Sequence, residues 1–300
     1  MNNDQIMNMY SSCSLCARNC GVDRIAGERG FCACSSVPHI VRADLHMWEE
    51  PIISGDRGSG TIFFSGCSLG CSYCQNREIS RSELGQAVSA DELAYHMLSL
   101  ERRGAHNVNF VTPTHHAPTV AIAIDKARAL GLSIPVVYNT GSYDSSSLLS
   151  MLKGRVDVFL PDLKFMRKST ASSLSSAEDY PEVAAAAISE MVHIQPKPVI
   201  KNGLMKRGVI VRVLLLPGHL AEAKLAVKHL YSTYGDDIYI SLMSQYTPVP
   251  SALPPLDRRV TRAEYAELVG YAERLGVVNA FVQEPSSASS VYIPDWNLKD

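Results

Sequence analysis

After Gly60 the chain alternates short apolar runs, rich in β-branched residues, with segments of helical periodicity. The runs predict seven strands, at residues 61–64, 107–112, 134–138, 156–160, 209–216, 238–242 and 278–282. Strands that alternate with helices in this way pair in parallel, and each helix crosses from one strand to the next. The alternation therefore predicts an α/β fold, either a barrel or a doubly wound sheet. Catalytic groups of either fold lie at the carboxyl ends of the strands.

The helical segments have recognisable ends. Ser89 with Glu92, and Thr261 with Glu264, have the spacing of a capping box at a helix start. Residues 220–230 place apolar side chains at spacings of three and four, which predicts one buried helix face. The Ser-rich stretch 169–176 lacks such a pattern and predicts a surface loop.

The first 55 residues do not share the alternation. They are rich in cysteine and in turn-forming residues, and they contain no long apolar run. We therefore expect a small Cys-rich module at residues 1–55, followed by a βα domain at residues 56–300.

Charge and hydropathy exclude several classes of protein. The formal net charge of -2 creates no field that would attract nucleic acid or anionic lipid. No apolar run approaches the roughly 20 residues of a membrane helix. The N-terminus has neither the basic nor the apolar region of a secretion signal. We expect a cytoplasmic protein with no nucleic-acid or membrane partner.

All eight cysteines lie in two short segments. Five fall between Cys13 and Cys34, and the other three between Cys67 and Cys74. A disulfide framework would spread its bridges over the chain, whereas tight clusters in a reduced cytosol are typical of thiolate metal sites. The clustering therefore predicts metal binding.

The second cysteine group, Cys67, Cys71 and Cys74, has the spacing C-x3-C-x2-C directly after the first predicted strand. Three thiolates on a tight loop can hold one face of a [4Fe–4S] cluster and leave the fourth iron open for a substrate or cofactor. Two alternatives stay open: three buried cysteines that pack as small apolar residues, or a zinc site whose fourth ligand lies elsewhere.

With Tyr73 before its last cysteine, this triplet resembles the C-x3-C-x-aromatic-C motif of the radical S-adenosylmethionine (radical SAM) superfamily. Further segments resemble the branch related to pyruvate formate-lyase activating enzyme, namely residues 49–51, 58–64, 74–76, 112–115, 138–140, 160–164, 216–219 and 241–246. The resemblance implies a partial (β/α)6-type parallel barrel. It also implies an oxygen-sensitive oxidoreductase that reductively cleaves S-adenosylmethionine at a [4Fe–4S] cluster.

In such an enzyme the 5′-deoxyadenosyl radical abstracts hydrogen from a substrate, and no side chain need act as a nucleophile. The resemblance implies a protein or peptide substrate, with a small molecule as the alternative, and a low-potential electron donor such as flavodoxin or ferredoxin. A competing hypothesis is a non-catalytic Fe–S electron carrier or redox sensor, which would not need the long βα segment after the triplet. A zinc-stapled nucleic-acid binder is disfavoured by the net charge.

The resemblance also implies cofactor contacts after successive strands. Thr112, Thr114 and His115 occupy the segment that would meet the amino group of S-adenosylmethionine, and Asn139 follows the next strand, where it would bond the ribose or carboxylate. Lys164, after the fourth strand, would bind the carboxylate.

Arg212 interrupts an otherwise apolar strand, and a buried guanidinium needs an anion. That anion is either a carboxylate of the cofactor or substrate, or a structural partner. For Arg212 and Lys164 alike, the structural alternative is an ion pair with Asp162 or Asp157.

In the first cysteine group, Cys13, Cys16, Cys20 and Cys32 supply four thiolates, and Cys34 is a spare. Four thiolates complete the tetrahedral shell of zinc, and they equally serve a second [4Fe–4S] cluster. Both interpretations stay open. Outside the cysteine groups, the segment with His46, Glu49 and Glu50 either reaches the site or forms a solvated linker.

Overall fold

The structure, a computed structural model, describes residues 1–283 and residue 296. Its strands are β1 (His39–His46), β2 (Ser59–Phe64), β3 (Gln86–Ala87), β4 (Val108–Val111), β5 (Val136–Thr140), β6 (Val158–Pro161), β7 (Val199–Lys201), β8 (Leu204–Leu214), β9 (Tyr239–Met243) and β10 (Ala280–Val282). Its α-helices are α1 (Asn3–Met7), α2 (Pro51–Ser54), α3 (Arg77–Ser80), α4 (Ala90–Arg102), α5 (Ala117–Ala129), α6 (Ser146–Leu152), α7 (Lys168–Ser175), α8 (Tyr180–Ile194), α9 (Leu220–Tyr234) and α10 (Arg262–Leu275).

Seven strands form a parallel sheet in the order β2-β4-β5-β6-β8-β9-β10. Each corresponds to one of the seven predicted strands. The order follows the sequence and does not reverse, which excludes the doubly wound alternative. Over the described residues, β10 lies at one edge of the sheet and β3 at the other, so the barrel is not closed. The predicted partial α/β barrel is confirmed.

Three strands were not predicted. β1 pairs antiparallel with β2, β3 pairs with β1, and β7 pairs antiparallel with β8. β3 and β7 are only two and three residues long, too short to show a period of two in the sequence. β1 extends the sheet within the predicted N-terminal module, and the segments 1–38 and 47–55 of that module lie outside the sheet. A division into domains at residue 55 stays a prediction.

The helix ends agree with the capping boxes. Ser89 caps α4 and Thr261 caps α10, and each hydroxyl accepts the backbone N–H of the glutamate three residues later. The predicted loop at 169–176 is wrong, because Lys168–Ser175 is helix α7. Ala171 and Ser175 are buried on this helix. Serine is only a moderate helix former, so the sequence of this segment does not indicate a helix. The packing of its small buried side chains stabilises the helix instead.

Two apolar clusters hold helices on the outside of the sheet. One lies under α4 and α5 and includes Leu93, Met97 and Phe110. The larger cluster joins α6, α8, α9 and α10 to strands β8 and β9. None of the helices in the described part of the chain has the length and apolar character that crossing a membrane requires.

Candidate functional site

A cavity of about 600 Å³ opens inside the partial barrel. Among the residues that line it are the three cysteines of the second group and eight polar or charged side chains: Glu49, Glu50, Thr112, Thr114, Asn139, Asp162, Lys164 and Arg212. Most of the strand residues in this set lie at or just beyond carboxyl ends of parallel strands, where the fold class places functional groups.

The cysteine loop begins directly after β2. Gly66 has φ +84, a left-handed conformation that glycine adopts without strain, and this turns the chain into the loop. Burial, followed by the neighbouring Cys71, raises the pKa of Cys67, and burial with both other cysteines raises the pKa of Cys74 to about 12. The three sulfurs are therefore close enough to repel one another as thiolates, and a cationic metal centre would relieve that repulsion.

Two donors point at these sulfurs. The Ser175 hydroxyl donates to Cys71 Sγ at 2.9 Å, and the backbone N–H of Leu69 donates to Cys67 Sγ at 3.4 Å. Hydrogen bonds to ligand sulfurs are among the features that set the potential of an Fe–S cluster. The sequence analysis missed Ser175, because its segment was predicted to be a loop and no motif marks it.

A single zinc ion and a [4Fe–4S] cluster require different distances between their ligand atoms. Within the described residues, the group of three potential ligands whose donor atoms all lie within 4.8 Å of one another is Cys34, His115 and His116. Neither cysteine group meets this spacing, although sulfurs around a tetrahedral zinc with 2.3 Å bonds are about 3.8 Å apart. In a [4Fe–4S] cluster each thiolate binds a different iron, so its sulfurs lie farther apart than those of a zinc site.

The first cysteine group packs against the loop that carries the second. Arg18 donates from Nε to the carbonyl of Ser68 at 3.0 Å and stacks over the Phe31 ring at 3.7 Å. Arg81 lies over Phe31 at 4.3 Å and donates to the carbonyl of Gly70 at 3.3 Å. The two arginines thus clamp the cysteine loop to the N-terminal segment.

Cys13, Cys20 and Cys32 all lie close enough to Cys16 to affect its pKa, and a common site for the four stays a prediction. Burial, more than these three neighbours, raises the pKa of Cys16 to about 12. The Cys34 thiol donates to the backbone carbonyls of Cys32 and Ser65 and lies beside the Cys32 thiol.

Arg24 is a buried cation beside the first cysteine group. Its guanidinium donates to the carbonyl of Cys34 at 3.2 Å and to that of His115 at 2.5 Å, and Nη1 lies 3.9 Å from Cys13 Sγ. Among the described residues, no carboxylate forms an ion pair with it. A buried cation without a carboxylate needs other anions, and thiolates of a metal centre would supply them.

Asp162 organises the charges of the cavity. Its Oδ1 lies 2.7 Å from Arg212 Nε and its Oδ2 lies 2.6 Å from Lys164 Nζ. Burial opposes ionisation of Asp162, but the two cations outweigh it and hold its pKa below the ordinary value. The structural alternative stated for Lys164 and Arg212 is therefore observed, with Asp162 as the partner. Arg212 Nη2 also donates to Asn139 Oδ1 at 2.5 Å.

In the predicted cofactor loop after β4, Thr112 and Thr114 line the cavity, whereas His115 does not. Thr112 lines the cavity and has φ +57, a conformation that is strained for threonine and common at functional sites. Thr114 also lines the cavity, but its hydroxyl already donates to the buried Asp144 at 2.8 Å. His115 is not among the lining residues; its Nε2 bonds the Ser65 carbonyl at 2.7 Å beside Cys34.

Tyr73, the aromatic residue of the triplet, is buried in the cavity wall. Its ring meets those of Phe165 and Tyr246 edge-on, with centroids 6.1 Å and 6.5 Å away. The residue therefore fixes the cysteine loop against the segments that follow β6 and β9.

Comparison with known proteins agrees with this geometry. The family model described as the radical SAM superfamily matches residues 61–187, which include the cysteine loop and the strands from β2 to β6. An uncharacterized protein of Methanocaldococcus jannaschii is 29% identical over 279 residues, covering 89% of this chain and 76% of that protein.

Among solved structures, a radical SAM methyltransferase from Sphaerobacter thermophilus has a TM-score of 0.54 at 17% identity, covering 75% of this chain and 66% of that one. This likeness supports the fold. A domain of a pyruvate-formate lyase-activating enzyme from Bacteroides vulgatus covers 59% of this chain and 98% of that one, with 14% identity and a TM-score of 0.43. That score is too low to support the branch. Residues 61–187, which carry the cysteine loop, therefore match the radical SAM superfamily model, and the overall fold agrees with that match.

Proposed function

We propose that this chain binds a [4Fe–4S] cluster through Cys67, Cys71 and Cys74 and cleaves S-adenosylmethionine reductively. The family match implies both cofactors, and one observation supports these particular ligands: all three cysteines border the same cavity of about 600 Å³. When bound, the cluster supplies the electron that cleaves S-adenosylmethionine, and the 5′-deoxyadenosyl radical then abstracts a hydrogen atom from the substrate.

The protein's own residues hold and shield this chemistry. Ser175 and the Leu69 N–H stabilise sulfur charge, and Tyr73 closes the cavity wall. Lys164 has three N–H donors, of which Asp162 takes one, so the ammonium can still meet the carboxylate of S-adenosylmethionine. Thr112, at its strained position, is the residue of the β4 loop best placed to contact the cofactor.

The four-cysteine site is the second part of the proposal. Cys13, Cys16, Cys20 and Cys32 bind zinc or a second [4Fe–4S] cluster, since four thiolates serve either. Cys20 is exposed, so this site meets solvent at the surface where a donor such as flavodoxin or ferredoxin would dock. Radical SAM enzymes in general need such a reductant.

The substrate in this proposal is a protein or peptide, as in the activating enzymes that the sequence resembles. Within residues 1–283 the sheet ends at β10 without closing into a barrel, which supports it, since a partial barrel can admit a loop from the side. The test is anaerobic incubation of the reduced enzyme with host lysate fractions, following substrate-dependent 5′-deoxyadenosine. Stimulating activity that passes a small-molecule filter and survives protease would make a small molecule the substrate instead.

Cofactor assignment is tested with two cysteine variants. Cys71→Ala should lose the triplet's iron and sulfide and abolish 5′-deoxyadenosine formation, while Cys34→Ala, which removes the spare thiol of the first group, should keep both properties. Unchanged cleavage in Cys71→Ala would refute the ligand assignment. Metal analysis of the Cys71→Ala protein then isolates the four-cysteine site: about one zinc supports a structural ion, and iron with sulfide supports a cluster.

The clamp between the two cysteine groups favours one further candidate, an electron carrier or redox sensor. The same assay separates it from the enzyme. Protein with both sites loaded and reduced, but with no 5′-deoxyadenosine formed from added S-adenosylmethionine, would support the carrier.

A further inference from the structure

Glu49 and Glu50 form the floor of the cavity. β1 runs antiparallel to β2, and its last residue, His46, pairs with Ser59 at the start of β2. The cysteine loop follows the other end of β2, and a six-residue strand separates its two ends by roughly 17 Å. The two glutamates follow His46 and line the same cavity as the cysteines, from the opposite end of that strand.

The charges of the cavity do not balance. Besides the cysteines, its lining holds three carboxylates and two cations, which are Glu49, Glu50, Asp162, Lys164 and Arg212. Asp162 engages both cations directly. With all five groups ionised, the cavity lining therefore carries one more negative charge than positive charges.

Of the three carboxylates, Glu50 is the one that makes no direct ion pair with Lys164 or Arg212 in the described structure. It is buried, with 7% of its surface exposed, and burial raises the pKa of its carboxyl, while the nearby Arg212 and the Ser241 side chain lower it. Its Oε2 is buried and has no hydrogen-bond partner in the described structure. Glu49 differs: Oε1 accepts from Asn109 Nδ2 at 3.0 Å, and Oε2 lies 3.6 Å from Arg212 Nη1.

An unpartnered buried carboxylate oxygen is costly, because it has lost its water without gaining a donor. An N–H donor that carries a positive charge offsets this cost most fully, since it supplies both the hydrogen bond and the missing charge. Glu50 lines a cavity that admits a ligand, so the donor need not come from the chain.

We propose that Glu50 binds a cationic nitrogen of the substrate, an ammonium or guanidinium group, at the floor of the cavity. The proposal rests on the proposed function, because it names the substrate class of the same site. It places the basic group near Glu50 and leaves the cysteine end of the cavity for the cofactor. The substrate is then an amine or guanidine, either free or as the side chain of a peptide.

Binding is measured without reductant, on anaerobic cluster-loaded protein with S-adenosylmethionine present, so that no cleavage takes place. The probes are n-butylammonium and n-butylguanidinium, and 1-butanol is the neutral counterpart, with saturation-transfer NMR as the readout. We expect at least one cation to bind about tenfold more tightly than butanol. In Glu50→Gln that preference should fall below about twofold, whereas Glu182→Gln, which changes an exposed carboxylate, should keep it.

Stability gives a second and independent readout. Glu50→Gln removes an uncompensated charge and should not lower the melting temperature, whereas Glu49→Gln weakens a contact with Arg212 and should lower it. A Glu50→Gln protein that melts below Glu49→Gln would make Glu50 a structural ion-pair partner and overturn the proposal.

Three binding outcomes would also overturn it. In the first, the cations bind no better than butanol; in the second, Glu50→Gln keeps the preference. In the third, Glu50→Gln weakens the binding of S-adenosylmethionine but not that of the cations, which would assign the Glu50 carboxylate to the cofactor. Because none of these measurements requires turnover, they are independent of the 5′-deoxyadenosine assay that tests the proposed function.

Discussion

The hydroxyl of Ser175 donates a hydrogen bond to the sulfur of Cys71 at 2.9 Å, across 104 positions of sequence. Ser175 is the last residue of α7, and Cys71 is the middle cysteine of the loop after β2. The backbone carbonyl of Ser175 also accepts a hydrogen bond from Arg18 Nη2 at 2.9 Å. One helix terminus therefore contacts both the cysteine loop and the N-terminal segment.

Replacing Ser175 by alanine should lower the reduction potential of the triplet cluster. A hydrogen bond to a ligand sulfur stabilises the more negative, reduced state, so its loss makes reduction harder. About 1 kcal/mol of hydrogen-bond energy corresponds to a fall of about 40 mV for one electron. A potentiometric titration followed by electron paramagnetic resonance measures it. Ser173→Ala, on the exposed side of α7, is the control and should leave the potential unchanged.

Gly66 is tightly enclosed where the chain enters the cysteine loop. A Cβ at this position would lie 2.1 Å from Cys34 Sγ, and φ is +84. We expect Gly66→Ala to lower the free energy of unfolding by more than the roughly 1–2 kcal/mol of the left-handed conformation alone. Gly131→Ala is the matched control, because Gly131 has φ +102 and nothing within 4 Å of its Cβ position.

The double variant Gly66→Ala with Cys34→Ala separates the clash from the backbone strain. Removing the sulfur should recover at least about 1 kcal/mol relative to the sum of the single variants, as a coupling energy from a double-mutant cycle. Urea denaturation of all four proteins gives that energy. Strict additivity would mean that Cys34 moves aside at no cost, contrary to the buried contact seen here.

Arg18 should slow the loss of iron from the cluster proposed at Cys67, Cys71 and Cys74. Its guanidinium bonds the carbonyls of Ser68 and Ser175, and both contacts order the cysteine loop. In Arg18→Ala we expect chelators to remove the triplet's iron about tenfold faster, since charged hydrogen bonds contribute about 1.5–3 kcal/mol. Arg29→Ala is the control, because Arg29 is half-exposed and pairs with Glu83 away from the loop. Equal loss rates for the two variants would contradict the clamp.

The parallel strands and the cysteine loop were predictable because both depend on local pattern. Apolar runs specified seven strands, and the spacing of Cys67, Cys71 and Cys74 specified a ligand set. The sequence assigned no specific role to Ser175 or Glu50, because these roles depend on contacts that exist only in the folded chain. Ser175 lies on a helix that only packing stabilises, and Glu50 differs from Glu49 only in what surrounds it.

The histidine at the β4 loop illustrates the same limit. Its place in sequence after β4 predicted a cofactor contact, yet the His115 ring turns away from the cavity towards Ser65. Strand position identifies the end of the barrel at which a loop lies, but not the direction of a side chain within the loop. Thr112, three residues earlier, does line the cavity.

Asp162 should be the most costly charge to remove from the cavity. Asp162→Asn leaves Arg212 and Lys164 close together without their shared carboxylate. Breaking a buried pair costs about 3–5 kcal/mol, and the lower end applies because 22% of the Asp162 side chain is exposed. Urea denaturation at pH 7 should therefore show a loss of about 3 kcal/mol. Asp44→Asn, at an exposed pair with Arg42, should lose about 0.5 kcal/mol or less.

The pH dependence of this loss follows from the pKa of Asp162. Its two cations hold the folded-state pKa below the ordinary value of 3.8, so the carboxylate stabilises the fold fully above that value. As the pH falls below 3.8 towards the folded-state pKa, the unfolded chain takes up the proton first and the stabilisation declines. The difference between wild type and Asp162→Asn should thus be constant from pH 7 to pH 5 and should shrink by pH 3.5, in denaturation of metal-free protein. A difference that grows on acidification would mean that the Asp162 carboxylate is protonated in the folded state, and that Arg212 and Lys164 are held by another anion.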